Sequence, residues 1–286
     1  MAVFELQKKA QIENIINKIF LYILLTLLAV FLVFPYFMMI SRSFMDIQDI
    51  NEARIFPTHW IFQNYVKLFK EHNYLHYLWN TMKILIFNII VVPISSSICA
   101  YAFAKLRWKG RELVFGLVIA TMMIPGTILQ VPQYVMFSFL GWTESAYPLT
   151  IPGLFGGGAM NIFLLRQFMK NIPKEMDDAA KVDGAPTILR YLRITMPLCK
   201  PIILYIVVGT FSAVWSDFYG PLVYLTQPEK YTLAVAIYYD SLINAALNTS
   251  NLKMAAGVFM SILPAIVFLL YQRKLVDGIM IGGIKG

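Results

Sequence analysis

Few residues in this sequence have both the type and the spacing that chemistry requires. His72 and His76 in "EHNYLHYLW" stand four apart, as two metal ligands on one helical face would, but no third ligand of suitable spacing lies nearby. Asp217 is a carboxylate within an apolar segment, where the cost of burial makes a charged side chain a candidate for function. A hydrated position at the end of that segment, hydrogen bonded to Tyr219 or Tyr224, is the alternative. We predict no metal site.

Enzyme motifs are absent from the sequence. It contains no G-x-x-x-x-G-K-[ST] loop for nucleotide phosphates, no G-x-S-x-G and no H-E-x-x-H. The "GLFGGG" of residues 153–158 lacks the lysine of a phosphate-binding loop, and small residues in an apolar helical segment typically allow close helix packing. We therefore predict that the chain is not an enzyme and holds no catalytic residue and no cofactor of its own.

Polar residues concentrate instead in "DDAAKVDGAPTILRYLRITMP", residues 177–197. Pro173 suits the first turn of a helix, and carboxylates near a helix N-terminus interact favourably with its dipole. Gly184 can adopt the left-handed conformation that ends a helix, and Pro186 can open the next one. The pattern predicts two short helices joined at a sharp corner. The acidic residues of the first turn are Glu175, Asp177 and Asp178.

The first of these helices is too short to be stable alone in water. Met176 and Ala180 share one face, with Ala179 beside them, and small side chains permit close approach to a groove. One interpretation is a helix that docks into a partner or onto the same side of the chain itself. The other is an ordinary capped loop helix, since alanine is a common helix former.

Composition indicates what must position this polar segment. Of 286 residues, 58% are hydrophobic and 14% charged, and the mean hydropathy is +0.64. A soluble domain carries roughly a quarter charged residues, so a multi-pass membrane protein is predicted. A membrane-spanning helix needs about 20 residues. Six segments have that length: Lys18–Ile40, Leu78–Ala104, Leu113–Leu140, Tyr147–Phe168, Pro201–Leu225 and Met254–Leu275.

The distribution of basic residues predicts the orientation. With the N-terminus inside, 17 of the 24 Lys and Arg residues fall in the inner segments 8–18, 105–111, 166–200 and 273–285. Lysine and arginine collect in cytoplasmic loops, so both termini are predicted to be cytoplasmic. The isoleucines of residues 12–19 suggest an amphipathic interfacial helix at 1–17, and an extension of the first span is the alternative. Cys99 and Cys199 are interpreted as packing residues.

The polar segment resembles the signature loop of integral-membrane subunits of ABC importers. That pattern is E-A-A, three residues, G, nine residues and I-x-L-P. Here Asp178-Ala179-Ala180 is followed at the same spacings by Gly184 and by Ile194-Thr195-Met196-Pro197. Asp replaces the leading Glu, and Met replaces the Leu before the last proline.

The resemblance covers essentially the whole chain and favours the carbohydrate branch, in particular the second permease subunits of maltose-, lactose- and glycerol-phosphate-type importers. "MIPGTILQVPQY", "FLLRQFMKNIPKEM", "WSDFYGPLVYL" and the terminal "LVDGIMIGGIKG" carry it. In the third of these, Ser216 stands where the family usually has Asn. An amino-acid or phosphate permease would share the loop but not this tail.

The resemblance implies an all-α fold of six transmembrane helices, the type I ABC importer permease fold. Its implied parts are a cytoplasmic or interfacial N-terminal helix at 1–17, a transmembrane domain at 18–275 with a coupling loop at 169–200, and a cytoplasmic tail at 276–286. The tail residues Lys285 and Gly286 are implied to reach the ATPase, with a disordered end as the alternative. The implied ATPase-coupling residues are Asp178, Ala179, Ala180, Asp183, Gly184, Ile194 and Pro197.

The resemblance also implies a function and partners. The chain would form half of the pathway of an ATP-driven, binding-protein-dependent importer of a di- or oligosaccharide in the bacterial cytoplasmic membrane. Its partners would be a homologous permease subunit, two ATP-binding cassette subunits that bind ATP and Mg, and an extracytoplasmic sugar-binding protein. The candidate segments for contact with that protein are 41–77, 141–146 and 226–251.

The residues of the pathway are less well defined. Polar or aromatic side chains in the spans could contact sugar, whereas proline and glycine in the third span favour a packing kink. A secondary carrier, the main rival class, would need coupling-ion residues and matched broken helices in two repeats, and the sequence has no such symmetry. The pathway candidates are Gln130, Gln133, Phe155, Trp215, Asp217 and Tyr219.

Overall fold

The computed structural model describes residues 2–243 and 249–283, with side chains for 13–242 and 249–272. Within these ranges the chain is helical and contains no β-strand. It divides into two compact units. The first comprises the described residues of Met1–His72 and Ser241–Phe259, and the second comprises those of Asn73–Asp240 and Met260–Gly286.

The bounds of the helices follow in chain order. The α-helices are α1 (Ala2–Ser43), α2 (Ile47–Asn51), α3 (Gln63–Lys70), α4 (Tyr74–Ala104), α5 (Arg111–Ala120), α6 (Gly126–Phe139), α7 (Tyr147–Thr150), α8 (Ala159–Lys170), α9 (Lys174–Val182), α10 (Thr187–Arg190), α11 (Met196–Leu198), α12 (Lys200–Trp215), α13 (Tyr219–Tyr224), α14 (Leu233–Ile243) and α15 (Ser250–Gly283). Short 3₁₀ turns occupy Thr121–Met123, Ile151–Leu154 and Pro228–Lys230, and Tyr191–Thr195 is a π-helical turn.

Four helical segments are long and apolar enough to cross a membrane, and two bent pairs raise the number to six if each pair is one span. This agrees with the six spans predicted from the sequence. The single segments are Glu13–Ser43, Tyr74–Ala104, Tyr147–Lys170 and Ser250–Gln272. The bent pairs are Arg111–Met123 with Gly126–Phe139, and Thr187–Leu198 with Lys200–Trp215.

Two of the spans are bent, and the third has the kink that its proline and glycine allowed. The third span turns by 102° at Ile124 and Pro125, where extended dihedral angles interrupt the helix before Gly126. The fifth span was predicted to run to Leu225, but α12 ends at Trp215. A proline lacks the N–H that would continue the helical ladder, so a break beside Pro125 has a simple cause.

The first unit contains α1, the short helices α2 and α3, and the beginning of α15. Residues 2–17 continue the helix of the first span without interruption, and their place at the membrane interface or in the cytoplasm stays a prediction. Asn64 anchors the end of α1 by donating to the carbonyl oxygens of Ser43 and Met45, at 2.9 and 3.0 Å. Apolar side chains along α1 are exposed, for example Phe31 at 75%, as lipid contact requires.

The core of the second unit lies between α4, α5, α8 and α12. Its members include Tyr101 of α4, Phe115 of α5, Leu165 of α8 and Ile206 of α12. Cys199 is fully buried in this cluster. The core holds four helices together and thereby positions the loop between α8 and α12.

The glycine-rich segment 153–158 packs against α4, as its small residues predicted. A Cβ on Gly157 would lie 2.6 Å from the carbonyl oxygen of Val92, and Gly157 has a φ of +62°. Ser95 of α4 donates to the carbonyl oxygen of Gly153 at 2.6 Å, and Asn88 donates to that of Leu149 at 2.9 Å. Polar side chains of α4 thus satisfy carbonyl groups that the broken helix leaves unpaired.

Candidate functional site: an exposed helical corner

The corner predicted at Gly184 is present. Helix α9 covers Lys174–Val182 with Asp183 as its C-cap, and Gly184 has a φ of +79°. The N–H of Gly184 donates to the carbonyl oxygen of Lys181 at 3.1 Å, and that of Ala185 donates to Ala180 at 2.9 Å. These two bonds form a Schellman motif, which satisfies the last carbonyl groups of the helix and reverses the chain.

Both prolines lie one position outside the helices that they were predicted to open. Pro173 is the N-cap of α9, and Pro186 is the N-cap of α10. Each has the extended ψ that precedes a helix, 135° and 158° respectively. The boundaries of the two short helices therefore follow from their prolines and from Gly184.

An internal ion pair closes the corner. Arg190 of α10 donates to Asp177 of α9 at 2.8 Å, with side-chain exposures of 12% and 20%. Arg190 therefore has its carboxylate partner within the loop itself. Tyr191, which follows, is buried and pairs with Ser97 of α4 at 2.7 Å. The corner is thus fixed to α4.

The predicted coupling residues present an exposed surface. Asp178, Ala179, Asp183 and Gly184 are exposed, and Ala180 is half-buried. In the second half of the loop, Ile194 is half-buried in the π-helical turn, and Pro197 of α11 is exposed. Their predicted contact with an ATPase stays a prediction. The predicted tail residues Lys285 and Gly286 lie outside the described residues.

Large apolar side chains accompany this polar surface. Val182 is 88% exposed and Ile188 is 64% exposed, on either side of Gly184, and Leu192 and Met176 are also exposed. Apolar side chains grouped on a charged loop are typical of a surface that another protein covers.

Segments that the predicted topology assigns to the inner side meet at one end of the second unit. Lys105, after α4, donates to the carbonyl oxygen of Ile172 at 3.2 Å. Arg166 of α8 is 4% exposed and donates to both carboxylate oxygens of Glu112, at 2.6 and 2.7 Å. The first contact joins the loop before α5 to the loop before α9, and the second joins α5 to α8.

Predicted outer segments meet in the same way. The carboxylate of Glu144, in the segment 141–146, accepts hydrogen bonds from the hydroxyl and the N–H of Thr226. The backbone carbonyl oxygen of Glu144 accepts one from Lys230 at 2.7 Å. The hydrogen bonds from Thr226 hold the pKa of Glu144 below its usual value. The carboxylate is therefore ionised at neutral pH and joins two of the segments predicted to contact a binding protein.

The pathway candidates occupy different environments. Gln133 is exposed, Gln130 is half-buried, and Phe155 is 82% exposed after the 3₁₀ turn of the fourth span. Trp215 is buried, stacks on Phe211 and donates from its indole nitrogen to the carbonyl oxygen of Met260 at 3.2 Å. The indole of Trp215 is therefore engaged in packing, and the role of these residues in a pathway stays a prediction.

Asp217 lies in the break between α12 and α13. Its Oδ1 accepts a hydrogen bond from the N–H of Gly220 at 2.9 Å, so the carboxylate caps the start of α13. It also borders a cavity of about 30 Å³ together with Thr81 and Thr232. Tyr219 is half-exposed beside it. Capping explains why a carboxylate stands at this break.

His76 does not present a free metal ligand. Its Nε2 lies 2.6 Å from the carbonyl oxygen of Glu229. Among the side chains that the structure describes, no group of three His, Cys, Asp or Glu residues could hold a metal ion.

Two features at this end of the second unit were not predicted from the sequence. The Arg166–Glu112 pair joins residues 54 positions apart, and no local pattern indicates such a partner. The second feature is that the basic residues of segments 105–111 and 170–190 share one charged surface, and their number in these two segments was the signal for it.

The fold and the site define a class: a multi-pass helical membrane protein with an exposed, hydrogen-bonded corner between its fourth and fifth spans. Residues 93–280 match the protein family described as the binding-protein-dependent transport system inner membrane component. The chain belongs to this family.

Similar proteins extend the comparison to nearly the full length. The galactooligosaccharides transport system permease protein GanQ of Bacillus subtilis is 31% identical, over 96% of this chain and 98% of that protein. The maltodextrin transport system permease protein MdxG of the same organism is 28% identical, over 97% and 99% respectively.

A solved structure has the same fold. It is a chain of a bacterial ABC transporter involved in the import of the acidic polysaccharide alginate, with a TM-score of 0.81 and 22% identity. The match covers 92% of this chain and 97% of that chain. It supports the prediction of an ABC importer permease fold.

Proposed function

We propose that this protein is a permease subunit of an ATP-driven importer of a di- or oligosaccharide in the bacterial cytoplasmic membrane. The observation that carries the proposal is full-length similarity to permease proteins whose names specify galactooligosaccharides and maltodextrin. The chain forms half of the translocation pathway and pairs with a homologous permease subunit. An extracytoplasmic sugar-binding protein delivers the saccharide to the outer segments.

In this proposal, the loop of residues 169–200 couples the permease to a separate ATPase. Two cassette subunits bind ATP and Mg, and α9 docks into a cleft of one of them. The exposed Val182 and Ile188 beside Gly184 supply apolar area for that contact. The Schellman corner and the Arg190–Asp177 pair make the loop stiff enough to transmit movement when the ATPase subunits close.

Movement of the corner matters because a transporter needs two states of different stability. A partner shifts the balance only if it binds the two states with different affinity. Closure of the ATPase around α9 would favour one arrangement of the spans, and the ion pair would carry the displacement of α9 to α10 and α12. Hydrolysis would then allow the other arrangement to return.

Gly184 provides the sharpest test. Gly184→Pro cannot adopt a φ of +79° and removes the N–H that donates to Lys181, so the corner should be lost. Gly184→Asn is the matched control, because asparagine tolerates the left-handed region and a Cβ here meets no atom within 4 Å. We expect Gly184→Pro to lower uptake of radiolabelled oligosaccharide at least about tenfold and to lower ATPase co-purification, while Gly184→Asn retains both.

The possible outcomes separate the parts of the proposal. If Gly184→Pro assembles with its partner permease and keeps full uptake and ATPase retention, the loop is not the coupling element. If the wild-type complex retains an ATPase but takes up neither galacto-oligosaccharides nor maltodextrins, coupling stands and the assignment of the saccharide fails.

A further inference from the structure

A basic groove lies beside α9, at the end of the second unit that is predicted to be cytoplasmic. It is an open cavity of about 1050 Å³ between the loop of residues 104–113, the end of α8, and α9. Seven Lys and Arg side chains line it against three carboxylates, a net charge of +4. Such a surface attracts anions.

Several of these cations already have partners in the chain. Lys105 donates to Ile172, Arg111 contacts Glu112 at 2.9 Å, and Arg190 is paired with Asp177. The remaining four cations are exposed and make no ion pair or hydrogen bond with the residues that the structure describes, although Lys170 interacts electrostatically with Glu112 at a longer range. They are Arg107, Lys170, Lys174 and Lys181.

The unpaired cations come from three separate elements. Arg107 belongs to the loop before α5, Lys170 ends α8, and the two others belong to α9. Like charges gathered around one cavity repel each other, so the arrangement is more favourable with a multivalent anion between them. Arginine binds phosphate through a planar fork and lysine as a point charge, and the groove offers both.

One wall of the groove is apolar. Trp108 is 41% exposed and Leu113 is 70% exposed, and both line the cavity. Leu117, one turn further along α5, is 61% exposed and extends the apolar face into the third span. A tryptophan at the start of a span is typical of the membrane–water interface. The groove therefore adjoins the surface on which an acyl chain would lie.

We propose that the basic groove binds the phosphate headgroup of an anionic phospholipid, with one acyl chain along Leu113 and Leu117. Basic pockets at the ends of transmembrane helices are suited to such headgroups. The bound phosphate joins Arg107 and Lys170 to the lysines of α9 and thereby stabilises the position of the exposed corner. This inference is independent of which saccharide the protein transports.

The test uses the full chain purified with its co-purifying subunits and placed in phosphatidylcholine nanodiscs. Binding of fluorescent phosphatidylglycerol is measured for wild type, for Arg107→Gln/Lys170→Gln, and for the matched control Lys109→Gln/Lys200→Gln. The control removes the same charge from predicted inner segments but alters no residue that lines the groove. We expect the groove variant to bind roughly 20- to 30-fold more weakly, since each cation contributes about a fivefold factor. The control should bind like wild type.

Three results would overturn the proposal. Equal weakening in both double variants would mean that the lipid responds only to overall charge. Displacement of phosphatidylglycerol by inorganic phosphate and by glycerol phosphate at similar concentrations would identify a site for a soluble anion. Binding by the isolated chain, but not by the chain with its subunits, would mean that an acidic protein surface fills the groove.

Discussion

Arg166 shows how a buried charge is accommodated at the end of the bundle that is predicted to be cytoplasmic. Its guanidinium carbon lies 3.8 Å from the ring centroid of Phe115, and its Nε donates to the carbonyl oxygen of Phe103 at 3.3 Å. The carboxylate of Glu112, whose side chain is 61% exposed, completes this environment. Arg166 therefore needs the ion pair more than Glu112 does, because water can solvate the exposed carboxylate but not the buried guanidinium.

This asymmetry makes a prediction. Glu112→Gln leaves a buried guanidinium without its counter-charge, and we expect the apparent unfolding temperature in detergent to fall by roughly 5–10 °C. Arg166→Met removes the buried charge itself and fills the space with apolar atoms, so its decrease should be smaller. A thermal unfolding series of both variants checks this order. Equal decreases, or a larger one for Arg166→Met, would contradict it.

At the scale of elements, the glycine-rich break in the fourth span lets α4 approach closely. Gly157→Ala places a Cβ 2.6 Å from the carbonyl oxygen of Val92 and forces alanine into a φ of +62°. We expect destabilisation of about 2–4 kcal/mol from strain and overpacking together. Gly116→Ala is the control, because a Cβ there meets nothing within 4 Å, and alanine favours the helix. The free energy of unfolding by denaturant distinguishes the two, and an equal cost for both would refute the packing argument.

Some features of the helices and loops could be predicted from the sequence, and others could not. Span number followed from apolar length, and the corner followed from Gly184 and two prolines, because these features depend on local chemistry. A kink in the third span was one prediction from its proline and glycine, but its angle of 102° was not predicted, because the size of a proline kink depends on what packs against it. Long-range pairs such as Arg166 with Glu112 leave no mark on the local pattern.

At the scale of the whole molecule, the second unit groups its connecting segments by predicted side. The loops before α5 and α9 meet at one end, and those around Glu144 and Thr226 meet elsewhere in the unit. The basic residues concentrate in the first group, which the distribution of lysine and arginine predicts to be cytoplasmic. The predicted orientation of the bundle therefore rests on charge, and the pairing of loops on helix packing.

Labelling with a membrane-impermeant maleimide tests this orientation in intact cells. Gln227 and Lys109 are both exposed, in segments predicted to lie outside and inside respectively. Cys199 is fully buried and Cys99 is half-buried in α4, so the parent protein should label weakly and serves as the control. We expect Gln227→Cys to label in intact cells at least about tenfold faster than Lys109→Cys, because the bilayer excludes a charged reagent from the inner side. Lys109→Cys should label at a similar rate only after permeabilisation. The reverse pattern would invert the topology and place the α9 corner outside the cell, where no ATPase could reach it.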